Sequence, residues 1–289
     1  MSISYAIKRY RKTYKNWFYI MFRLRFSRNE IFNVKTRKGE KFTLDRSQTR
    51  DFVLMNNKNS GLSLSKIFSE TFDGGIIYRG KKVFIQGFKN GYMNEVFHLD
   101  EYKFLEPENE VVIDIGANIG DSPMYFALNG ATKVIAVEPS ISLFNLAQIN
   151  IRKNDLSDNI VLLNACYSCK KTIVTNQGET KFKDDGVVLP CDKNTASYNL
   201  SKLTIDYNIK DAVLKMDCEG CEYDLLNEDK ETLKKFKRIQ IEYHYGYEEL
   251  YDLLKDYFEV RYTEPYETYF REKTTKRNMV VGNIYARRK

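Results

Sequence analysis

The run Asp114-Ile115-Gly116-Ala117-Asn118-Ile119-Gly120 has residue types that suit a ligand-binding turn. Its glycines let a backbone bend tightly and come close to a bound molecule, where a side chain would block the approach. The spacing is G-x-x-x-G, with Asn118 standing where a dinucleotide fingerprint would place the glycine that admits a pyrophosphate. A cofactor without phosphates therefore fits this turn better, and Asp114 offers a carboxylate suited to an ammonium or a water. Glu138 follows Gly116 by 22 positions. An acidic residue at that distance, at the end of the next strand, accepts hydrogen bonds from ribose hydroxyls, which points to a nucleoside cofactor.

A second group comes from Lys215-Met216-Asp217-Cys218-Glu219-Gly220-Cys221-Glu222 and Ile241-Glu242-Tyr243-His244. An imidazole with an ordinary pKa near 6.5 can take a proton from a hydroxyl at neutral pH, so His244 is the expected general base, beside Asp217 and Glu219. Asp217, Glu219, Glu242 and His244 also have the donor types for Mg²⁺ or Mn²⁺. The same carboxylates suit a cofactor ammonium or a sugar hydroxyl equally, and no metal is expected. The other histidine, His98, lacks such neighbours in sequence and reads as structural. Cys166/Cys169 and Cys218/Cys221 have C-x-x-C spacing, but both pairs follow apolar runs, so most of the cysteines are expected to be small buried hydrophobes.

These residues need strands to carry them. Val111–Ile115, apolar but for Asp114, Val134–Val137 and Ile160–Leu163 read as buried strands separated by helical patterns, and Val213–Met216 and Ile239–Tyr243 give a fourth and a fifth strand. Such an alternation implies a mainly parallel sheet covered on both faces, closed by two late strands, Phe258–Tyr262 and Met279–Tyr285, as a hairpin-like pair. The expected division is an N-terminal helix and accessory β region over residues 1–105, followed by the sheet domain over 106–289. In the first part, residues 1–28 alternate bases and aromatics as an amphipathic helix would. Short strands are expected at Ile31–Lys35, Lys41–Leu44, Ile76–Tyr78 and Lys82–Gln86.

The runs VVIDIGANIGDS, VIAVEPS, LKMDCEGCEYDLL and IQIEYH, in that order, resemble the FkbM-type methyltransferase family over about residues 95–250. The resemblance implies an α/β fold with a Rossmann-like class I methyltransferase sheet, mainly parallel with a late antiparallel strand. It also implies S-adenosylmethionine as cofactor and methyl transfer to a hydroxyl of a sugar, glycan or other small hydroxylated acceptor. By the same likeness, Asp114, Gly116, Asn118 and Gly120 form the methionine-side turn, Glu138 holds the ribose, and Asp217, Glu219 and His244 lie on the acceptor side. Ser122-Pro123 departs from the bulkier aromatic that many relatives carry after the turn.

Other classes fit less well. A nicotinamide-dependent oxidoreductase would share Glu138 but should have glycine at Asn118. A nucleic-acid methyltransferase would draw on the 14% aromatic content and the basic N-terminal region, yet no N-P-P-[YF] element is present. The net charge of +7 is concentrated at the start, where residues 1–50 hold 14 Lys/Arg against three Asp/Glu. That block is a candidate for peripheral contact with anionic membrane through residues 1–28. The longest apolar run, Trp17–Phe22, is far too short to span a bilayer, and Met1–Lys12 lacks the apolar centre of a secretory signal. The expected location is therefore the cytoplasm, at or near the inner face of the membrane.

Overall fold

The computed structural model describes residues 3–26, 31–58, 62–87, 95–168, 195–268 and 279–289. The chain divides into two compact units, Met1–Glu101 and Tyr102–Lys289.

In the first unit, two helices, α1 (Ile3–Thr13) and α2 (Trp17–Phe26), stand where one was expected. A neighbouring strand edge takes the backbone between them. Tyr14 bridges to Thr36, the Lys15 N–H donates to the Lys35 carbonyl at 2.7 Å, and the Asn16 amide pairs with the backbone of Asn33 and Lys35. That edge belongs to β1 (Ile31–Lys35), which pairs antiparallel with β2 (Lys41–Asp45). Helices α3 (Arg46–Lys58) and α4 (Leu64–Ser69) were not anticipated. Their starts nevertheless carry readable caps. The Asp45 carboxylate accepts from the Gln48 N–H while the Gln48 side chain accepts from the Asp45 N–H, a reciprocal capping box, and Ser63 caps α4. Phe52, Val53 and Met55 of α3 close a separate core with Tyr14, Ile20, Phe32 and Leu44. Three short antiparallel strands, β3 (Thr71–Phe72), β4 (Gly75–Tyr78) and β5 (Lys81–Phe84), and helix α5 (Glu95–His98), which ends in a half-buried His98, complete the unit.

The second unit runs β6 (Val111–Ile115), α6 (Asp121–Leu128), β7 (Lys133–Val137), α7 (Ile141–Lys153), β8 (Ile160–Leu163), β9 (Ala165–Tyr167) and β10 (Ala196–Tyr198). It continues through α8 (Leu200–Asp206), β11 (Ala212–Met216), a 3₁₀ helix (Cys221–Asn227), α9 (Lys230–Leu233), β12 (Phe236–Tyr243), α10 (Glu248–Leu254), β13 (Phe258–Tyr262), β14 (Tyr266–Thr268) and β15 (Met279–Arg288). The main sheet has the order β8-β7-β6-β11-β12-β15-β13. Its first five strands are parallel, and β15 is antiparallel to both neighbours. Central strands such as β11 are buried along their whole length, as a sheet covered on both faces requires. This is the expected Rossmann-like class I methyltransferase sheet with its late antiparallel strand. From β6 the chain builds outward through β7 to β8, then returns to place β11 on the other side of β6. The order reverses there, and the carboxyl ends of β6 and β11 open a crevice. Among the described residues, no helix is long and apolar enough to cross a membrane.

Candidate functional site

The parallel register of β6 and β11 sets Lys215 beside Asp114, both fully enclosed. The Lys215 ammonium lies 3.0 Å from the Asp114 carboxylate and donates to the Gly116 carbonyl at 2.6 Å, while the Ser122 hydroxyl donates to Asp114 at 2.6 Å. Burial works against the ammonium, yet the charges of Asp114 and Asp217 outweigh it and hold the Lys215 pKa above its ordinary value. An ion pair thus braces the turn from beneath. Asp114, expected to suit an ammonium or a water, meets the Lys215 ammonium and is not among the residues lining the cavity. Lys215 was not anticipated, because a lysine inside an apolar run reads as an outward-facing residue until its cross-strand partner is known.

Gly116 has φ +83, and a Cβ placed there would lie 1.9 Å from the Asp217 carbonyl. The loops after β6 and β11 approach so closely that only glycine fits. Gly120 (φ +90) serves another purpose, because a Cβ there would lie only 3.1 Å from Ala147 of α7, so its missing side chain lets the start of α6 come close to α7. It too lies outside the cavity lining, so its contribution is to helix packing.

Asn118 has a left-handed φ of 50, which turns its N–H onto Glu138 at 2.8 Å. The Ser140 N–H reaches the other oxygen of the same carboxylate at 2.8 Å. Glu138 is 4% exposed. Burial raises its pKa, opposed by those two backbone donors. Each oxygen keeps acceptor capacity, since a carboxylate has roughly four lone-pair sites.

A cavity of about 240 Å³ opens between these strand ends. Gly116, Asn118, Glu138, Asp217 and Glu219 line it, together with Pro139, Leu143 and Tyr167, which sequence reasoning did not single out. Asp217 follows β11 directly, and Glu219 takes a left-handed φ of 57 with its side chain largely open to solvent. Most of the cysteines were expected to be small buried hydrophobes, but Cys218 and Cys221 are joined in a disulfide and form part of the wall. The positive φ at Glu219 and Gly220 reverses the chain and brings the two Cα atoms to 5.5 Å. Cys166 also lines the cavity, whereas Cys169 and Cys191 lie outside the described residues.

His244 follows β12 and is held from both sides. Its Nδ1 is 2.8 Å from the fully buried Glu222 carboxylate and its Nε2 is 3.4 Å from Glu219. Glu222 also accepts from the backbone N–H groups of Gly220 and His244, so one carboxylate ties the β11 loop to the end of β12. Burial disfavours the imidazolium, but the hydrogen bond and charge of Glu222, with Glu219 and Asp217 nearby, lift the His244 pKa to about 9. At neutral pH the ring is charged, and it accepts a proton only after losing the one it holds. The structure thereby brings Asp217, Glu219 and His244 together as expected and adds Glu222, whose Glu219-Gly220-Cys221-Glu222 context did not reveal that it turns inward. Asp217, Glu242 and His244 each offer a ligand atom within 4.8 Å of the others, a donor set suited to a divalent cation.

No sequence among curated proteins matches the chain. Among solved structures, a precorrin-8w decarboxylase from Methanobacterium thermoautotrophicum is similar with 17% identity and a TM-score of 0.37, over 65% of this chain and 86% of that one. A precorrin-6y C5,15-methyltransferase from Geobacter metallireducens GS-15 is similar with 14% identity and a TM-score of 0.40, over 68% and 90%. The family assignment rests on sequence. The methyltransferase FkbM domain matches residues 114–264, more than half of the chain, from the Asp114 turn through the ends of β7, β11 and β12 to the strand after α10. The residues gathered around the crevice fall within that match, and the chain belongs to the FkbM methyltransferase domain family.

Proposed function

We propose that the protein transfers the methyl group of S-adenosylmethionine to a hydroxyl of a sugar, a glycan or another small hydroxylated acceptor. The observation that carries this reading is Glu138, a carboxylate at the end of β7, fixed by two backbone N–H groups and facing a cavity with acceptor capacity to spare. It suits two neighbouring ribose hydroxyls, and Gly116 and Asn118 of the turn line the same cavity. Asn118 in place of a second glycine favours a nucleoside without a pyrophosphate. These residues fit the cofactor, which when bound supplies an electrophilic methyl group on a sulfonium sulfur.

The chain's own contribution is alignment and proton management. Asp217 and Glu219, on the β11 loop, are placed to accept hydrogen bonds from an acceptor hydroxyl. Glu222 fixes the His244 ring through Nδ1 and leaves Nε2 on the Glu219 side, the arrangement of a base oriented by a buried carboxylate. The ring takes the hydroxyl proton at Nε2 from the fraction of molecules in which it is neutral.

The test is transfer of labelled methyl from S-adenosylmethionine to a panel of hydroxylated acceptors including free sugars, with and without a chelator. The expected result is turnover on at least one sugar or glycan, reduced roughly 10²-fold or more in His244→Ala with little change in cofactor affinity. Retention of most activity by that variant removes His244 from the chemistry. Loss of parent activity on chelation assigns Asp217, Glu242 and His244 to a metal.

A further inference from the structure

Helix α2 has apolar residues on two opposite faces, and among the described residues only one of them is covered. Ile20 is fully buried and Trp17 and Leu24 pack on the core of the first unit. Across the helix, Phe18, Phe22 and Phe26 are 69%, 56% and 72% exposed. Spaced four apart, they form a stripe about 80° wide and roughly 12 Å long, centred nearly opposite Ile20, since successive residues turn by about 100° and rise about 1.5 Å. The Phe22 and Phe26 rings lie 5.0 Å apart. A stripe of this kind on water carries a hydrophobic cost that an intramolecular packing role would have removed.

The charge around the stripe says what covers it. Residues 3–26 contain no Asp or Glu, and of their cations Lys8, Arg11, Lys12, Lys15 and Arg25 are exposed and Arg23 half-buried, whereas Arg9 is buried. Arg25 lies at one border of the stripe with its guanidinium over Phe26, and Arg23 lies at the other with its guanidinium over Tyr19. Aromatic rings between arginines suit the boundary between lipid headgroups and acyl chains, where the rings enter the apolar layer and the cations remain among phosphates. A second copy of the helix would instead bring like charges together, with no carboxylate from this segment to compensate.

We infer that α2 is a membrane-surface anchor, seating Phe18, Phe22 and Phe26 in an anionic phospholipid surface with Arg23 and Arg25 on the headgroups. Binding is read without reference to activity.

The experiment is co-sedimentation of the full chain with vesicles of phosphatidylcholine alone or with about 30 mol% phosphatidylglycerol, at low and raised salt. The parent should bind the anionic vesicles and lose binding as salt rises. The combined variant Phe18→Ser, Phe22→Ser, Phe26→Ser should bind at least tenfold more weakly with unchanged circular dichroism and melting temperature, because these side chains are already in water. Arg23→Gln with Arg25→Gln should weaken binding and flatten its salt dependence. Failure of the parent to bind anionic vesicles at low salt overturns the inference, as does undiminished binding by the triple Phe variant. A parent dimer in light scattering that the Phe variant dissolves, without vesicle binding, overturns it in favour of self-association.

Discussion

At the scale of single residues, the site consists of carboxylates whose roles are set by what else they hold. Glu138 and Asp114 are both strand-end acids in sequence, but Asp114 is neutralised by direct contact with Lys215, while the Glu138 carboxylate accepts from the backbone N–H groups of Asn118 and Ser140 and lines the cavity. Glu138→Ala is therefore expected to weaken S-adenosylhomocysteine binding by at least roughly tenfold, about 1.4 kcal/mol, in calorimetry on a variant that remains folded. Unchanged affinity would place the ribose elsewhere. His244 gives a prediction with a definite sign. Its folded pKa, about 9, is raised above the unfolded value, so its stabilising contribution is complete below about pH 6.5 and fades as pH rises toward 9. Denaturant unfolding across that interval should show stability falling by at most on the order of 3 kcal/mol, and His244→Gln should remove most of this slope. An identical slope in the variant would mean that another group titrates there.

At the scale of elements, the strands of the main sheet were legible because the early ones are short runs, apolar except for Asp114, Lys133 and Lys215, and the later ones are rich in apolar and aromatic residues. Their expected limits differ from the observed ones by three residues or fewer. The helices of the first unit were not. In Arg46–Lys58 the apolar residues Phe52, Val53 and Met55 are flanked by polar ones, and helicity comes from the Asp45–Gln48 capping box and the core they close. Where two loops meet, backbone geometry dominates side-chain chemistry. A methyl group at Gly116 would collide with the Asp217 carbonyl, and that atom belongs to backbone that has no rotamer to yield. Gly116→Ala should therefore force β6 and β11 apart at their carboxyl ends, lowering the melting temperature and abolishing measurable cofactor binding. A variant binding S-adenosylhomocysteine like the parent would show that the two loops can separate without consequence for the crevice.

At the scale of the whole molecule, a ligand of the crevice stabilises the unit that forms it. S-adenosylhomocysteine at about 100 times its dissociation constant should contribute roughly 2.7 kcal/mol and raise the melting temperature by several degrees, whereas NAD(H) should leave it unchanged. A shift with NAD(H) and none with S-adenosylhomocysteine would overturn the cofactor reading. The sequence by itself determined the parallel sheet, the order of its strand-end residues and the family, because apolar periodicity and the D-I-G-A-N-I-G and D-C-E-G-C-E runs are local properties. The burial of Lys215 against Asp114, the inward turn of Glu222 onto His244, the Cys218–Cys221 bond and the stripe on α2 were decided only by tertiary structure. The first two are contacts between residues 101 and 22 positions apart, which no local pattern encodes. The bond depends on a left-handed reversal at Glu219, a residue whose type does not favour one, and the stripe is recognisable only once the opposite face of the same helix has been filled.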